Sequence, residues 1–262
     1  MRAPDGTAYD VTGAAEAPVV VLIHGLGLNR GQWVFNLPAL TGFRVVTYDL
    51  LGHGQTPSPK AAMPTLDHLT GQFQRLLDHL NLHRAALIGF SMGGMVARHF
   101  AQSHPSRVRA LALLNTPHRR SPEAQAAVAA RVSEAETQGP AAMLEAALAR
   151  WFTAKFRAES PATIDLVRSW VLANDPAFYS RYYRIFADEV LRVVAPDPPL
   201  TCPTLVLTGD LDHGNSPPMA RAIAADIPGA VTVILPDLRH AALIEDPEAV
   251  NRPLAAFLTR SL

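Results

Sequence analysis

Short runs of apolar, mostly β-branched residues recur along the chain and alternate with stretches patterned for helix. Val19-Val20-Val21-Leu22-Ile23 is apolar at every position. Phe43 to Tyr48, Ala85 to Phe90, Val108 to Leu114, Thr204 to Thr208 and Val231 to Leu235 read as strands of the same kind. A strand that is apolar throughout, and not only at alternate positions, needs cover on both faces, as parallel strands between helices have. Leu66, Leu69, Phe73, Leu76, Leu77 and Leu80 fall on one helical face. Val250, Leu254, Phe257 and Leu258 form a similar stripe, where Pro253 predicts a late start or a kink. The expected fold class is α/β, with a mostly parallel, doubly wound sheet. Thr7 to Thr12 is an expected early antiparallel strand.

The alternation stops between Thr116 and Thr201. Ser121-Pro122, Gly139-Pro140, Ser160-Pro161 and Asp175-Pro176 each pair a capping residue with proline at the first helical position. They predict about four helices inserted between two strands of one sheet. The expected organisation is a core of residues 1–116 and 201–262, with a helical lid of residues 117–200 inside the same domain. The insertion is rich in aromatic residues, Trp151, Phe152, Trp170, Tyr179 and Tyr183 among them. Helix packing accounts for most of these. A lid over a pocket at the carboxyl ends of the strands gives some of them a second use.

Composition removes several function classes. The 262 residues hold 23 Lys+Arg against 23 Asp+Glu, with no basic block to attract nucleic acid. A single cysteine, Cys202, excludes an internal disulfide framework and a cysteine-based zinc site, and reads as a small apolar filler. No apolar run nears the roughly 18 residues of a membrane span. Met1 to Gly13 lacks the apolar core of a secretory signal, so a cytoplasmic location is expected. No HExxH or His/Cys cluster suggests a metal, and no cofactor is expected.

The chemistry is carried by Gly89-Phe90-Ser91-Met92-Gly93, between the strand Ala85 to Phe90 and a helix through Val96 and Phe100. A serine at such a strand-to-helix turn lifts its Oγ above the sheet edge, and small neighbours let strand and helix approach. A nucleophilic serine needs a base, and the base needs an orienting acid, in the chain order Ser, acid, His. Gly209-Asp210-Leu211-Asp212 ends one later strand, and Arg239-His240 follows the next. Both sit at the sheet edge that holds Ser91, and either aspartate fits. His68, His79, His83, His99 and His104 lie on or beside helices, and His118 opens the insertion. His213 comes too early, and His53 lies in a loop suited to structure or pocket lining. The N–H groups of Met92 and of Leu26, in His24-Gly25-Leu26-Gly27, are the expected oxyanion donors. Trp33, Trp151 and Phe152 are candidate pocket walls, although Trp33 also reads as packing. Arg98 and Arg150 read as solvated, with pocket-facing cations suited to a carboxylate-bearing substrate.

HGLG at 24–27, DLLGHG at 49–54, GFSMGG at 89–94, Gly-x-x-Asp at 209–212 and His240 before Glu245-Asp246-Pro247 stand in one order. In these motifs nearly the whole chain resembles the α/β-hydrolase superfamily, in its small esterase-like branch. Arg150-Trp151-Phe152-Thr153 and Asn174-Asp175-Pro176 make it most similar there to 3-oxoadipate enol-lactonases. The resemblance implies the α/β-hydrolase fold, with Ser91, Asp212 and His240 as triad and Asp212, not Asp210, as acid. It also implies a serine hydrolase acting on a small carboxylic ester or lactone through an acyl-enzyme. Arg239 departs from the glycine usual before the base, and Leu50-Leu51 from the polar residue usual after Asp49.

The same triad also supports C–C bond hydrolysis of ring-cleavage products, amidase-like or carbamate chemistry, and cofactor-free perhydrolysis. A non-catalytic small-molecule binding module is a reading of a different class. Gly25-Leu26-Gly27 with Gly31 and Asp49 imitates a dinucleotide-binding start, but the glycine spacing is one residue too long and the serine motif goes unexplained. The expected partner is a small-molecule substrate, with no nucleic acid and no membrane, and with homodimer formation left open.

Overall fold

The structure, a computed structural model, describes residues 1–59 and 63–262. Seven strands form one sheet: β1 (Tyr9–Thr12), β2 (Val19–Ile23), β3 (Arg44–Tyr48), β4 (Ala85–Phe90), β5 (Val108–Leu114), β6 (Thr204–Gly209) and β7 (Val231–Leu235). Their spatial order is β1-β3-β2-β4-β5-β6-β7. β1 runs antiparallel to β3, and the other neighbouring pairs are parallel.

The all-apolar strands divide their side chains between two cores. Val21 and Ile23 join a cluster with Leu69, Phe73, Val96 and Phe100, from helices α1 (Leu66–His79) and α2 (Met92–Ser103). Val20 and Leu22 join the opposite cluster, which includes Val250, Leu254 and Leu258. Removing each such side chain from water stabilises the fold by about 1.5–3 kcal/mol. From β2 the chain passes to β3 on one side and then to β4 on the other. The crevice for a ligand in a doubly wound sheet lies at that reversal, outside the carboxyl ends of the strands. Here those ends carry the 24–27 loop and Ser91.

Between β5 and β6 run α3 (Pro122–Trp151), α4 (Ala154–Glu159), α5 (Pro161–Leu172) and α6 (Pro176–Asp188). Ser121 and Asp175 cap α3 and α6 through their side chains, as their sequence context predicts. Gly139-Pro140 is not a separate start. It is a kink inside α3, where Gly139 has φ 75° and ψ −179°. The extra start is at Thr153, whose hydroxyl accepts from Phe156 N–H to cap α4. After β6 follow α7 (Pro217–Asp226), α8 (Ala242–Glu245) and α9 (Pro247–Ser261). Pro253 neither delays α9 nor marks its start, because Asp246 caps the helix ahead of Pro247 and Pro253 lies within it.

Arg98 is not solvated. It is 1% exposed on α2 and donates to the carbonyls of Pro117 and Val193, on the segments that enter and leave the helical insertion. Burial pushes its pKa down to about 9.

Backbone meets backbone closely where α2 starts against β2 and β4. A Cβ on Gly93 would stand 2.2 Å from the Ile23 carbonyl oxygen, and one on Gly89 would stand 2.4 Å from the Gly93 carbonyl oxygen. Both obstacles are backbone and cannot swing aside. Gly93→Ala is therefore expected to destabilise the protein by about 3 kcal/mol through overpacking. Urea unfolding measures this, and an unchanged midpoint would show that the helix can back away.

Candidate functional site

Ser91 sits between β4 and α2 with φ 53° and ψ −117°. A non-glycine residue in this region costs about 1–3 kcal/mol, held by its surroundings. Here Ser91 N–H donates to the Leu114 carbonyl at 2.9 Å, and the Thr116 hydroxyl donates to the Ser91 carbonyl at 2.8 Å. The turn leaves Ser91 Oγ facing His240, whose Nε2 lies 3.1 Å away. His240 Nδ1 is 2.8 Å from Asp212 Oδ2. With Nδ1 donating to the carboxylate, Nε2 is left to accept from the serine.

Asp212 is 2% exposed. Its Oδ1 accepts from the N–H groups of Gly214 and Asn215, and its Oδ2 also accepts from Asn115 Nδ2 at 2.9 Å. Burial pushes this carboxyl upward. The His240 charge and the hydrogen bonds from His240, Asn115 and Asn215 outweigh burial and hold it below the ordinary carboxylate range. Asp210 is exposed, so of the two aspartates the fold brings Asp212 to the histidine. Glycine at 209 lets the histidine loop cross the end of β6, since a Cβ there would lie 2.1 Å from the Leu238 carbonyl oxygen.

The 24–27 loop reaches the serine from β2. A Cβ on Gly25 would stand 3.3 Å from Ser91 Cβ, so the loop backbone lies against Ser91. His24 fixes this loop. Its Nε2 accepts from Leu50 N–H at 2.9 Å, so its Nδ1 donates to the Gly25 carbonyl at 2.8 Å. Burial lowers its pKa to about 4, which keeps it neutral. Met92 opens α2, so its N–H has no intrahelical acceptor. Asn174, from the turn between α5 and α6, donates to the Gly27 carbonyl at 2.8 Å.

A cavity of about 330 Å³ opens over Ser91, lined in part by Leu26, Phe90, Trp151, Tyr179 and His240. Of the three candidate walls, Trp151 lines this cavity, and Trp33 and Phe152 do not. Both are completely buried in the core cluster that also holds Val20 and Leu22, where their large apolar surfaces fill space between elements. His53 is also fully interior. Its Nδ1 donates to the Leu51 carbonyl at 2.9 Å, and burial pushes its pKa down to about 3. Arg150, read as solvated, lines the cavity together with Arg120, Arg131 and Arg239.

Asn115 and Asn174 were not found from the sequence. Leu114-Asn115-Thr116, a polar pair directly after an apolar strand, is the signal that marks Asn115. Asn174 carries none beyond its place before Asp175-Pro176. Among the described residues, no group of three or more His, Cys, Asp or Glu is gathered to hold a metal. None of the described helices is long and apolar enough to cross a membrane.

The family described as alpha/beta hydrolase fold matches residues 18–247, and the chain belongs to it. The crystal structure of the enol-lactonase from Burkholderia xenovorans LB400 is similar, with TM-score 0.89 and 33% identity over 97% of this chain and 96% of that one. The (E)-2-((N-methylformamido)methylene)succinate hydrolase of Acinetobacter baylyi is 29% identical over 93% of this chain and 91% of its own length. The 3-oxoadipate enol-lactonase 2 of the same organism is 26% identical over 96% of this chain and 92% of its own. The protein is a hydrolase with esterase- and lactonase-like relatives.

Asn115 stabilises the ionised form of Asp212, so Asn115→Ala is expected to cost about 1.5–3 kcal/mol at neutral pH. The sign of its pH dependence follows from the lowered carboxyl. The contribution is complete above the ordinary aspartate value of 3.8 and is lost as pH falls through the lower folded-state value. Denaturant unfolding at neutral pH and at about pH 2 tests this, with the wild-type and variant curves converging in acid. A gap that persists in acid would assign the loss to packing.

Proposed function

We propose that the protein is a serine hydrolase that cleaves a small carboxylic ester or lactone through an acyl-enzyme. The observation that carries the reading is the unbroken line from Ser91 Oγ through His240 to the buried Asp212 carboxylate, facing a small cavity. Ser91 Oγ attacks the substrate carbonyl as its proton passes to His240 Nε2. Asp212 fixes the imidazole tautomer and stabilises the imidazolium. The carbonyl oxygen becomes an oxyanion held by the Leu26 and Met92 N–H groups, near the positive end of α2. The C–O bond then breaks, and His240 returns its proton to the departing oxygen. In a lactone that oxygen stays tethered to the acyl group. Water, deprotonated by His240, attacks the acyl-enzyme, and Ser91 leaves with a proton restored to Oγ. The helical insertion, residues 117–200, acts as the lid that excludes bulk water from these steps.

Ser91→Ala is expected to lower kcat by roughly 10⁴–10⁶-fold while the protein stays folded, because triad members act as a unit. Asp212→Asn should be severe, by about 10⁴-fold, whereas Asp210→Asn should be mild. Labelling by a fluorophosphonate probe gives an independent readout, since a non-catalytic binder does not label at Ser91. Activity of Ser91→Ala within about tenfold of wild type would exclude this mechanism.

Cavity size sets a second expectation. A space of about 330 Å³ with apolar walls accommodates a compact acyl group. Across p-nitrophenyl esters from acetate to laurate, kcat/KM should fall steeply once added methylenes exceed the pocket, each displacing packed side chains at about 1–3 kcal/mol. A maximum at laurate would instead mean that the lid opens into a groove.

A further inference from the structure

The loop that carries His240 is tied to the end of α3 on both sides of the histidine. Arg239, just before it, donates a guanidinium N–H to the Ala149 carbonyl. Ala241, just after it, donates its N–H to the Trp151 carbonyl at 2.9 Å. Glu245, the last residue of α8, accepts from Thr153 N–H through Oε2 at 3.1 Å and from the Thr153 hydroxyl through Oε1. Ala149 and Trp151 lie in the last turn of α3, where carbonyls have no partner within the helix. The histidine loop therefore completes the end of a helix that belongs to the insertion.

Glu245 acts through a short lever. The N–H groups of Ile244 and Glu245 both donate to the Ala241 carbonyl, at 2.8 and 3.0 Å, so α8 is a closed turn standing on the residue after His240. A carboxylate fixed at the far end of that turn fixes its near end. The carboxyl is half-buried, and burial raises its pKa while the Thr153 donors act against that rise. The Thr153 hydroxyl has two duties, because it also accepts from Phe156 N–H at 3.2 Å as the cap of α4. One threonine thus starts α4 and holds the turn behind the histidine.

The bonds of His240 to Asp212 and Ser91 set its tautomer. Its ring is flanked by Phe90, with centroids 5.0 Å apart, and by Trp151, at 6.4 Å. Trp151 belongs to the same end of α3 that, with Leu144, Ala147 and Arg150, lines the cavity. The cavity wall and the histidine therefore share one support.

We propose that Glu245 is a positioning residue for His240: by clasping Thr153 it holds the histidine loop to the end of α3, so that the base stays aligned with Ser91 only while that wall of the cavity is seated. The inference rests on Ser91 and His240 being nucleophile and base. Neither Glu245 nor Thr153 lines the cavity, so neither acts by touching substrate.

Turnover of p-nitrophenyl acetate, counted per serine that a fluorophosphonate labels at completion, separates misalignment from loss of folded protein. Glu245→Leu removes both acceptors at similar volume. Its kcat per site is expected to fall about 10–100-fold, the scale for a reacting group displaced by up to about 1 Å, with KM changed less than about threefold. Glu245→Gln keeps an acceptor for Thr153 N–H and should recover kcat to within about threefold of wild type. Thr153→Val loses only the hydroxyl and should lie between these, and Thr153→Ser should restore it. That pair reads the clasp if Glu245→Leu does not fold. The downfield proton NMR signal of His240 Nδ1–H, bonded to Asp212, should broaden in Glu245→Leu and return in Glu245→Gln. A lowered melting temperature with kcat per site and the proton signal unchanged would overturn the clasp and leave the hydrolase reading intact. Where only the threonine pair folds, equal kcat in Thr153→Val and wild type would do the same. A wild-type protein that neither labels nor turns over the ester would overturn the hydrolase reading, while the proton signal would still report on the clasp.

Discussion

The rest of the site depends on how closely the N-terminus of α2 is pressed against β2 and β4. Backbone atoms of Gly89, Gly93 and Ile23 meet where any side chain beyond glycine would collide with a carbonyl. Because the helix must begin there, the residue between strand and helix has nowhere to go but φ 53°. That single dihedral raises the Ser91 hydroxyl above the sheet edge. It also aims the free N–H groups at the start of α2 towards the same space. Strain at Ser91 and electrostatic preparation of the cavity are thus two results of one packing constraint.

The helical insertion is fastened to the site at several points. Arg98 binds the carbonyls of Pro117 and Val193, which fixes its two ends to α2. Ala241 N–H donates to the Trp151 carbonyl at 2.9 Å, next to the histidine. Asn174 holds the Gly27 carbonyl, and the Tyr179 ring fills the space beside Gly27, 3.0 Å from where a Cβ would stand. The loop that faces Ser91 is therefore held partly by the sheet and partly by the insertion. Displacing the insertion would disturb the geometry of the loop as well as the access of solvent.

Charge is distributed by burial. His24 and His53 are interior and kept neutral, so they act as fixed hydrogen-bonding parts of loops. Asp212 is just as buried but remains ionised, because four donors converge on it. An ionised group at this depth is tolerated only when its lone pairs are satisfied in this way. The same accounting applies to the cavity arginines, of which Arg120, Arg131 and Arg239 have partners in the wall.

The sheet was legible because its signal is local. Val19 to Ile23 and Ala85 to Phe90 are apolar throughout, a pattern that only two-sided burial explains, and their observed bounds match the reading. Ser91 and His240 were legible because glycine spacing and strand ends locate them along the chain. The preference for Asp212 over Asp210 needed a family resemblance, and in the fold Asp212 is the buried one of the two and the one beside His240. Gly139-Pro140 read as a helix start because local capping chemistry cannot tell a start from a kink within packed helices. Arg98 read as solvated, and Trp33 and Phe152 as possible walls, because a side chain's composition does not say which element will cover it. By itself the sequence determined the parallel sheet, the strained serine turn and the edge of the sheet where chemistry would lie, since each is written in contiguous residues. Only the tertiary structure decided that Asn115 steadies the aspartate, that Asn174 holds the 24–27 loop, and that Arg131 and Arg150 face one cavity. Those contacts join residues far apart in the chain, and their energies exist only once the elements between them have packed.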